Sequence, residues 1–206
     1  GSLTDIALIE DIDEAAAKVA SNFYIEELGK HAKLNKNCIA IDKFPLNILE
    51  IPLINRIFPK AKFILALRHP LDCVLSCWMQ DFKLNPAMSN MTDLDRITDF
   101  YATTMEILFL CEERYSLNIQ KIRYEDLVID FKKNVSNVLD FLSLDWEESI
   151  ETYQNTAYSR GRINTPSYAQ VIKPLYKTAA YRWKNYEQHL YELNQRLEPW
   201  VSKFGY

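Results

Sequence analysis

The sequence predicts an α/β fold: a three-layer, mostly parallel sheet flanked by helices. Two observations carry that expectation. Three short apolar runs, NCIAID (37–42), KFILAL (62–67) and LNIQKI (117–122), recur along the chain. Longer stretches with apolar residues at helical spacing lie before, between and after them, and such alternation implies parallel βαβ units. With 206 residues, 48% of them hydrophobic, the chain is long enough for one sizeable core and reads as a single domain over 1–206.

Each element has its own reason. Residues 5–32 read as one or two helices, with Ala16, Val19, Phe23 and Leu28 among the apolar positions. NCIAID reads as a short buried strand. Asn47 is a candidate cap for a helix running through Phe58. KFILAL is the clearest strand. Pro70 suits the first position of the next helix, because it lacks an N–H that the helix would not use there, and Asp72 in the first turn suits the helix dipole. Residues 93–115 read as one long helix, LNIQKI as a third strand, and 131–142 and 147–153 as further helices. Residues 159–174 hold Gly161, Pro166 and Pro174 and read as loop. Residues 176–203 read as helix with a break near Pro199.

Composition narrows the function. A net charge of -4 argues against duplex nucleic acid as the main partner, while leaving room for a local basic pocket. No apolar run approaches membrane-spanning length, so no membrane span is expected. Cys38, Cys73, Cys77 and Cys111 form no C-x-x-C pair, and His31, His69 and His189 are scattered. Buried reduced thiols are expected rather than a metal site, which suits a reducing, cytoplasmic setting. The opening Gly-Ser, without Met, reads as a trimmed boundary, and the chain is expected to be a piece of a longer protein.

In open α/β sheets, ligands bind beyond the carboxyl ends of the strands. Lys43 follows the first strand, Arg68 the second, and Arg123 and Tyr124 the third. Any one of these reads as a solvated or paired charge, with Asp42 and Asp72 as ready partners. Three on one rim also read as an anion site, and spacing leaves both readings open. Ser76, further along the helix after Arg68, either bonds its own backbone or donates to the same anion. The chain has four glycines and neither G-x-x-x-x-G-K-[ST] nor G-x-G-x-x-G. A glycine-rich phosphate cradle therefore either precedes residue 1 or is absent.

The ordered set IDKFPLN, FILALRHPLDCVLSCWMQDF, IRYEDLV, FLSLDW and INTPSYAQVIKPLYKTAAYRWKNYEQHL resembles sulfotransferases. The likeness is greatest to the bacterial type often fused to tetratricopeptide repeats, itself similar to tyrosylprotein sulfotransferases. It spans residues 42–190 and implies a fold similar to that of P-loop NTPases. It also implies 3′-phosphoadenosine-5′-phosphosulfate as donor nucleotide, no metal, and transfer of a sulfuryl group to an acceptor hydroxyl on a peptide, carbohydrate or small compound.

The resemblance assigns roles position by position. Arg68 and Ser76 match the pair that holds the donor's 3′-phosphate, and Tyr124 matches a tyrosine of the donor pocket. Lys43 matches the lysine that steadies the bridging oxygen and the sulfuryl group. Ser167 matches a serine that contacts the donor and stabilises the transition state. Residues 167–176, including Lys173, resemble a loop that closes on the nucleotide. Arg182 falls where relatives carry a basic residue near the donor. These residue types suit in-line transfer, in which negative charge builds on the leaving oxygen and the protein positions groups and supplies cations.

Two parts of the pattern lie upstream in relatives and have no match here: the loop that wraps the 5′-phosphosulfate, and a glutamate that serves as base. The chain is accordingly expected to be a domain cut after its first strand. Glu10, Glu14, Glu26 and Glu27 read as solvated helix faces, and His69, at a helix start, as neutral and structural. Two other function classes stay open: a phosphoryl-transfer enzyme on the same architecture, and a catalytically silent donor-binding or interaction fragment.

Overall fold

The computed structural model describes residues 6–32, 35, 38–83, 85–155 and 175–206. They divide into two compact units, Gly1–Phe63 with Thr104–Asn118, and Ile64–Thr103 with Ile119–Tyr206. No described helix is long and apolar enough to cross a membrane.

The first unit is helical. Helix α1 covers Ile6–Glu10, α2 Glu14–His31 and α3 Ile51–Ile57, and both α1 and α2 pack on α3. Asp13 caps α2 by accepting the Ala16 N–H at 2.7 Å. The Arg56 side chain donates its Nε–H to the Ile12 carbonyl at 2.6 Å, and Arg114 grips Glu10 with two bonds of 2.6 and 2.7 Å.

Two local expectations fail in this unit. Residues 38–42 form no strand, and Ile39 and Ile41 are 48% and 75% exposed. A strand is stable only when its backbone groups are paired with a neighbour, and no described segment pairs with this one. Asn47 lies inside a 3₁₀ turn, Pro45–Ile48, and α3 starts later, at Ile51, with Pro52 in its first turn. The side-chain amide of Asn47 donates instead to Asp42 Oδ1 at 3.4 Å. Nor is every thiol buried, since Cys38 is exposed.

Most of the sheet belongs to the second unit. Strands β1 (Lys62–Leu67) and β2 (Asn118–Arg123) form a two-stranded parallel sheet. Exposure alternates along β1, and Lys62, Ile64 and Ala66 lie open on one face. Among the described residues the sheet has neither a third strand nor cover on that face. Helix α4 (Pro70–Trp78) begins at Pro70 as the sequence predicts, and α5 covers Leu94–Arg114. After β2 come α6 (Tyr124–Ile129) and α7 (Phe131–Leu142), where Asp130 caps α7 and Ser143 closes it in the left-handed region at φ 61°. The helix expected at 147–153 is a 3₁₀ turn, Glu148–Ile150.

The expected helix over 176–203 breaks elsewhere than at Pro199. Lys177–Ala179 and Arg182–His189 are 3₁₀, and the α-helix, α8, runs Tyr191–Lys203 with Pro199 inside it. A proline within a helix removes one backbone bond. Leu193 and Leu197, buried against α4, hold α8 regardless. The core of this unit joins Leu71, Val74 and Leu75 of α4, Ile97 of α5, Trp183, and Leu190, Leu193 and Leu197. Their spacing by three and four residues is that of single helix faces.

Candidate functional site

The chain turns at the carboxyl end of β1 with Arg68 and His69, and at the end of β2 with Arg123 and Tyr124. Of the groups expected on that rim, Arg68 and Tyr124 meet: the Arg68 guanidinium carbon lies 5.6 Å from the Tyr124 ring centroid. Arg123 does not join them. It makes a two-bond pair with Asp126 at 2.6 and 2.9 Å, and Nη1 donates to the Gly205 carbonyl and, at 3.4 Å, to that of Phe204. Its hydrogen bonds to Asp126 push its pKa up, so Arg123 is a paired charge.

Arg68 keeps part of its side chain open, at 23% exposure. Nη2 donates to the Ala179 carbonyl and lies 3.8 Å from Asp72 Oδ2. Nε is buried with no hydrogen-bond partner among the described residues. Asp72, one helical turn on, is buried and accepts the Trp183 N–H at Oδ1, 2.8 Å away. Burial pushes the Asp72 carboxyl above the ordinary range, opposed by the Trp183 bond and the Arg68 charge. The Tyr124 hydroxyl donates to the Tyr176 carbonyl at 2.5 Å, and burial pushes that phenol up. Tyr176, Ala179 and Trp183 are thus tied to Tyr124, Arg68 and Asp72, and the segment 176–183 crosses the strand ends as a strap.

Ser76 lies one turn beyond Asp72 on α4, half-buried, and its hydroxyl has no hydrogen-bond partner among the described residues. The bond to its own backbone that a helical serine often makes is not formed there. Arg182 is exposed, directly before buried Trp183. Lys43 is exposed in the first unit and follows a segment that is not a strand. Ser167 and Lys173 lie outside the described residues.

Three residues of this neighbourhood have no sequence expectation attached: Glu125, Trp183 and Tyr206. Glu125, at 2% exposure, accepts the His69 backbone N–H at Oε1 (3.0 Å) and the Tyr206 hydroxyl at Oε2 (2.8 Å). His69 stacks on Trp183 with centroids 4.9 Å apart and meets Tyr206 edge-on at 5.2 Å. Burial drives the His69 pKa down to about 4; Glu125 opposes this and Lys184 adds to it. His69 is therefore neutral at pH 7. Its Nδ1 is buried without a partner among the described residues. Burial and the Glu125 bond push the Tyr206 phenol up. The one signal for Glu125 in the sequence is its position in YED, immediately after the tyrosine that ends the strand.

The thiols beside this site are held toward their protonated form. Burial pushes Cys73 up to about 12 and raises Cys77 as well. Among the described residues, no group of His, Cys, Asp and Glu has the arrangement of a metal site.

Comparisons with known proteins find relatives of the chain. The chain is 26% identical over 200 residues to an uncharacterized protein of Aquifex aeolicus (strain VF5), covering 95% of this chain and 25% of that one. It is 26% identical over 182 residues to protein-tyrosine sulfotransferase 1 of Danio rerio, covering 83% of this chain and 48% of the relative. A putative protein-tyrosine sulfotransferase of Caenorhabditis elegans is 25% identical over 191 residues, 90% of this chain and 71% of its own length. The chain thus spans a quarter to a half of the first two relatives. A model of the sulfotransferase family matches residues 3–148, which include both strands and the Arg68, Ser76 and Tyr124 positions. With the match covering well over half of its length, the chain belongs to the sulfotransferase family.

Proposed function

We propose that the protein is a sulfotransferase that uses 3′-phosphoadenosine-5′-phosphosulfate and passes its sulfuryl group to an acceptor hydroxyl. The observation that carries this reading is the Arg68–Tyr124 pair at the strand ends, with the half-buried Ser76 on the helix that follows. A guanidinium fork and a hydroxyl donor suit a terminal phosphate, and an aromatic ring suits the nucleoside beside it. In this reading Arg68 and Ser76 hold the 3′-phosphate and Tyr124 lines the donor pocket. Lys173 belongs to the loop that closes on the nucleotide, and Arg182 is a basic residue near the donor.

The acceptor oxygen attacks sulfur in line and releases its proton to solvent water. The bond from sulfur to the bridging oxygen breaks, and the electron pair stays on the 3′-phosphoadenosine 5′-phosphate that leaves. Lys43 meets the charge growing on the bridging oxygen, and Ser167 donates to the sulfuryl oxygens and the donor. Because Lys43 supplies the cation, this reading asks for no metal. The acceptor class is a peptide, a carbohydrate or a small hydroxyl compound. The complete protein is read as a three-layer α/β architecture of the P-loop-NTPase type, working in the cytoplasm.

The test uses the protein at its full natural length. Calorimetric titration with 3′-phosphoadenosine 5′-phosphate should show binding, and transfer of labelled sulfate should accompany it. Arg68→Ala should weaken the nucleotide by about 10- to 150-fold, the range of a charge-assisted hydrogen bond of ~1.5–3 kcal/mol. A wild-type protein that neither binds this nucleotide nor moves labelled sulfate refutes the reading.

A further inference from the structure

We infer that Glu125 is a positioning residue for the anion site, acting on nucleotide affinity through Arg68. The inference rests on the donor-binding reading above.

Glu125 is almost fully buried, and each carboxylate oxygen has one partner far away in sequence. Oε1 accepts the N–H of His69, which belongs to the peptide unit that joins Arg68 to His69. That bond fixes the plane of the peptide from which Arg68 departs. The carbonyl of the same peptide, that of Arg68, receives a weak contact from the Cys73 thiol at 3.8 Å. Glu125 also directly follows Tyr124, whose ring lies under the guanidinium. One carboxylate therefore holds the departure point of Arg68 beside the departure point of Tyr124, across the two strand ends.

The second oxygen anchors this arrangement. Oε2 accepts the Tyr206 hydroxyl, and Tyr206 packs against His69 on one side and the Arg123 guanidinium, 5.2 Å away, on the other. A Glu125 side chain turned away from this position would leave the His69 N–H without its carboxylate acceptor. A long arginine side chain has many rotamers, and each degree of freedom frozen before the ligand arrives lowers the entropic cost of binding. Holding its backbone in one orientation is a means to that end. Arg68 then offers its fork to an anion from a fixed place, although its side chain stays partly open to solvent.

A buried acid could instead serve stability alone, and a double-mutant cycle separates the two roles. Glu125→Met keeps the volume and removes both acceptors; Glu125→Gln keeps an acceptor for the His69 N–H and a polar partner for Tyr206. Tyr206→Phe removes one tether and keeps the ring, a smaller change than loss of the carboxylate. Each is measured at full natural length by titration with 3′-phosphoadenosine 5′-phosphate, alone and combined with Arg68→Ala. Glu125→Met should weaken the nucleotide about tenfold and Tyr206→Phe about threefold, while Glu125→Gln stays within about threefold of wild type. With Arg68 already alanine, the Met and Phe losses should vanish. Losses that persist undiminished without Arg68, or unchanged affinity in both the Met and Phe variants, overturn the inference and leave the donor-binding reading standing. A wild-type protein that does not bind the nucleotide overturns both.

Discussion

Stability should fall steeply between pH 6.5 and pH 4 because of His69. Its ring is 4% exposed, stacked on Trp183, and burial drives its pKa from 6.5 to about 4. Above pH 6.5 the ring is neutral whether the chain is folded or unfolded, so it costs nothing. As pH falls through 6.5, the unfolded chain takes up a proton that the folded chain refuses until about pH 4. At about 1.4 kcal/mol per pH unit, that window corresponds to a loss of ~3 kcal/mol, of which ~2 is reached by pH 5. For a chain of this length, 2 kcal/mol lowers the melting temperature by roughly 4–8 °C.

His69→Phe isolates the effect. Phenylalanine keeps the stack on Trp183, and the backbone N–H to Glu125 is untouched. The Nδ1 atom that it removes has no hydrogen-bond partner among the described residues. Urea unfolding of wild type and variant at pH 7.5, 6, 5 and 4.5 gives the stability difference at each pH. It should move in favour of the variant by ~2 kcal/mol between pH 7.5 and 5. All other titrating groups contribute to both proteins and cancel to first order. A difference that stays flat across this range refutes the buried, neutral histidine.

Two further perturbations probe the strap and the far end of the chain. Asp72→Ala leaves the Trp183 N–H buried without its acceptor and should cost ~1–3 kcal/mol in urea unfolding, whereas Asp72→Asn, which keeps an acceptor, should cost clearly less; equal tolerance of both would sink the role given to that bond. Gly205 sits at φ +74°, and an added Cβ would come within 3.3 Å of Arg123 Nη1. Gly205→Ala should therefore destabilise by about 1 kcal/mol, and a melting temperature at or above wild type would refute that.

Local chemistry was legible wherever a short segment carries its own instructions. Pro70 and the apolar run before it marked the end of β1 and the start of α4. Residues 131–142 read as a helix and formed it, with Asp130 and Ser143 as its caps. The segment 38–42 misled because alternating Ile39 and Ile41 signal strand-forming ability, while a strand also needs a neighbour, which lies beyond any local window. Pro199 misled for a related reason. The proline penalty is local, but the burial of Leu193 and Leu197 that outweighs it is tertiary.

The candidate site divides along the same line. Arg68, Ser76 and Tyr124 were readable from the ends of strands and from the ordered motifs around them, and the family match covers all three. The partners of these groups were not readable. Ala179 and Trp183 come to Arg68 and Asp72 from 111 residues away, and Tyr206 reaches Glu125 across 81. Backbone carbonyls and N–H groups have no signature in a sequence, because every residue but proline carries both. By itself the sequence determined two of the three expected strands with the helices between them, the family, and the charged groups that follow those two strands. Only the tertiary structure decided that Arg123 is paired with Asp126 while Arg68 stays partly open, and which groups bury His69. Charge pairing and burial are set by which groups the fold brings within a few ångströms, and sequence spacing alone does not specify that.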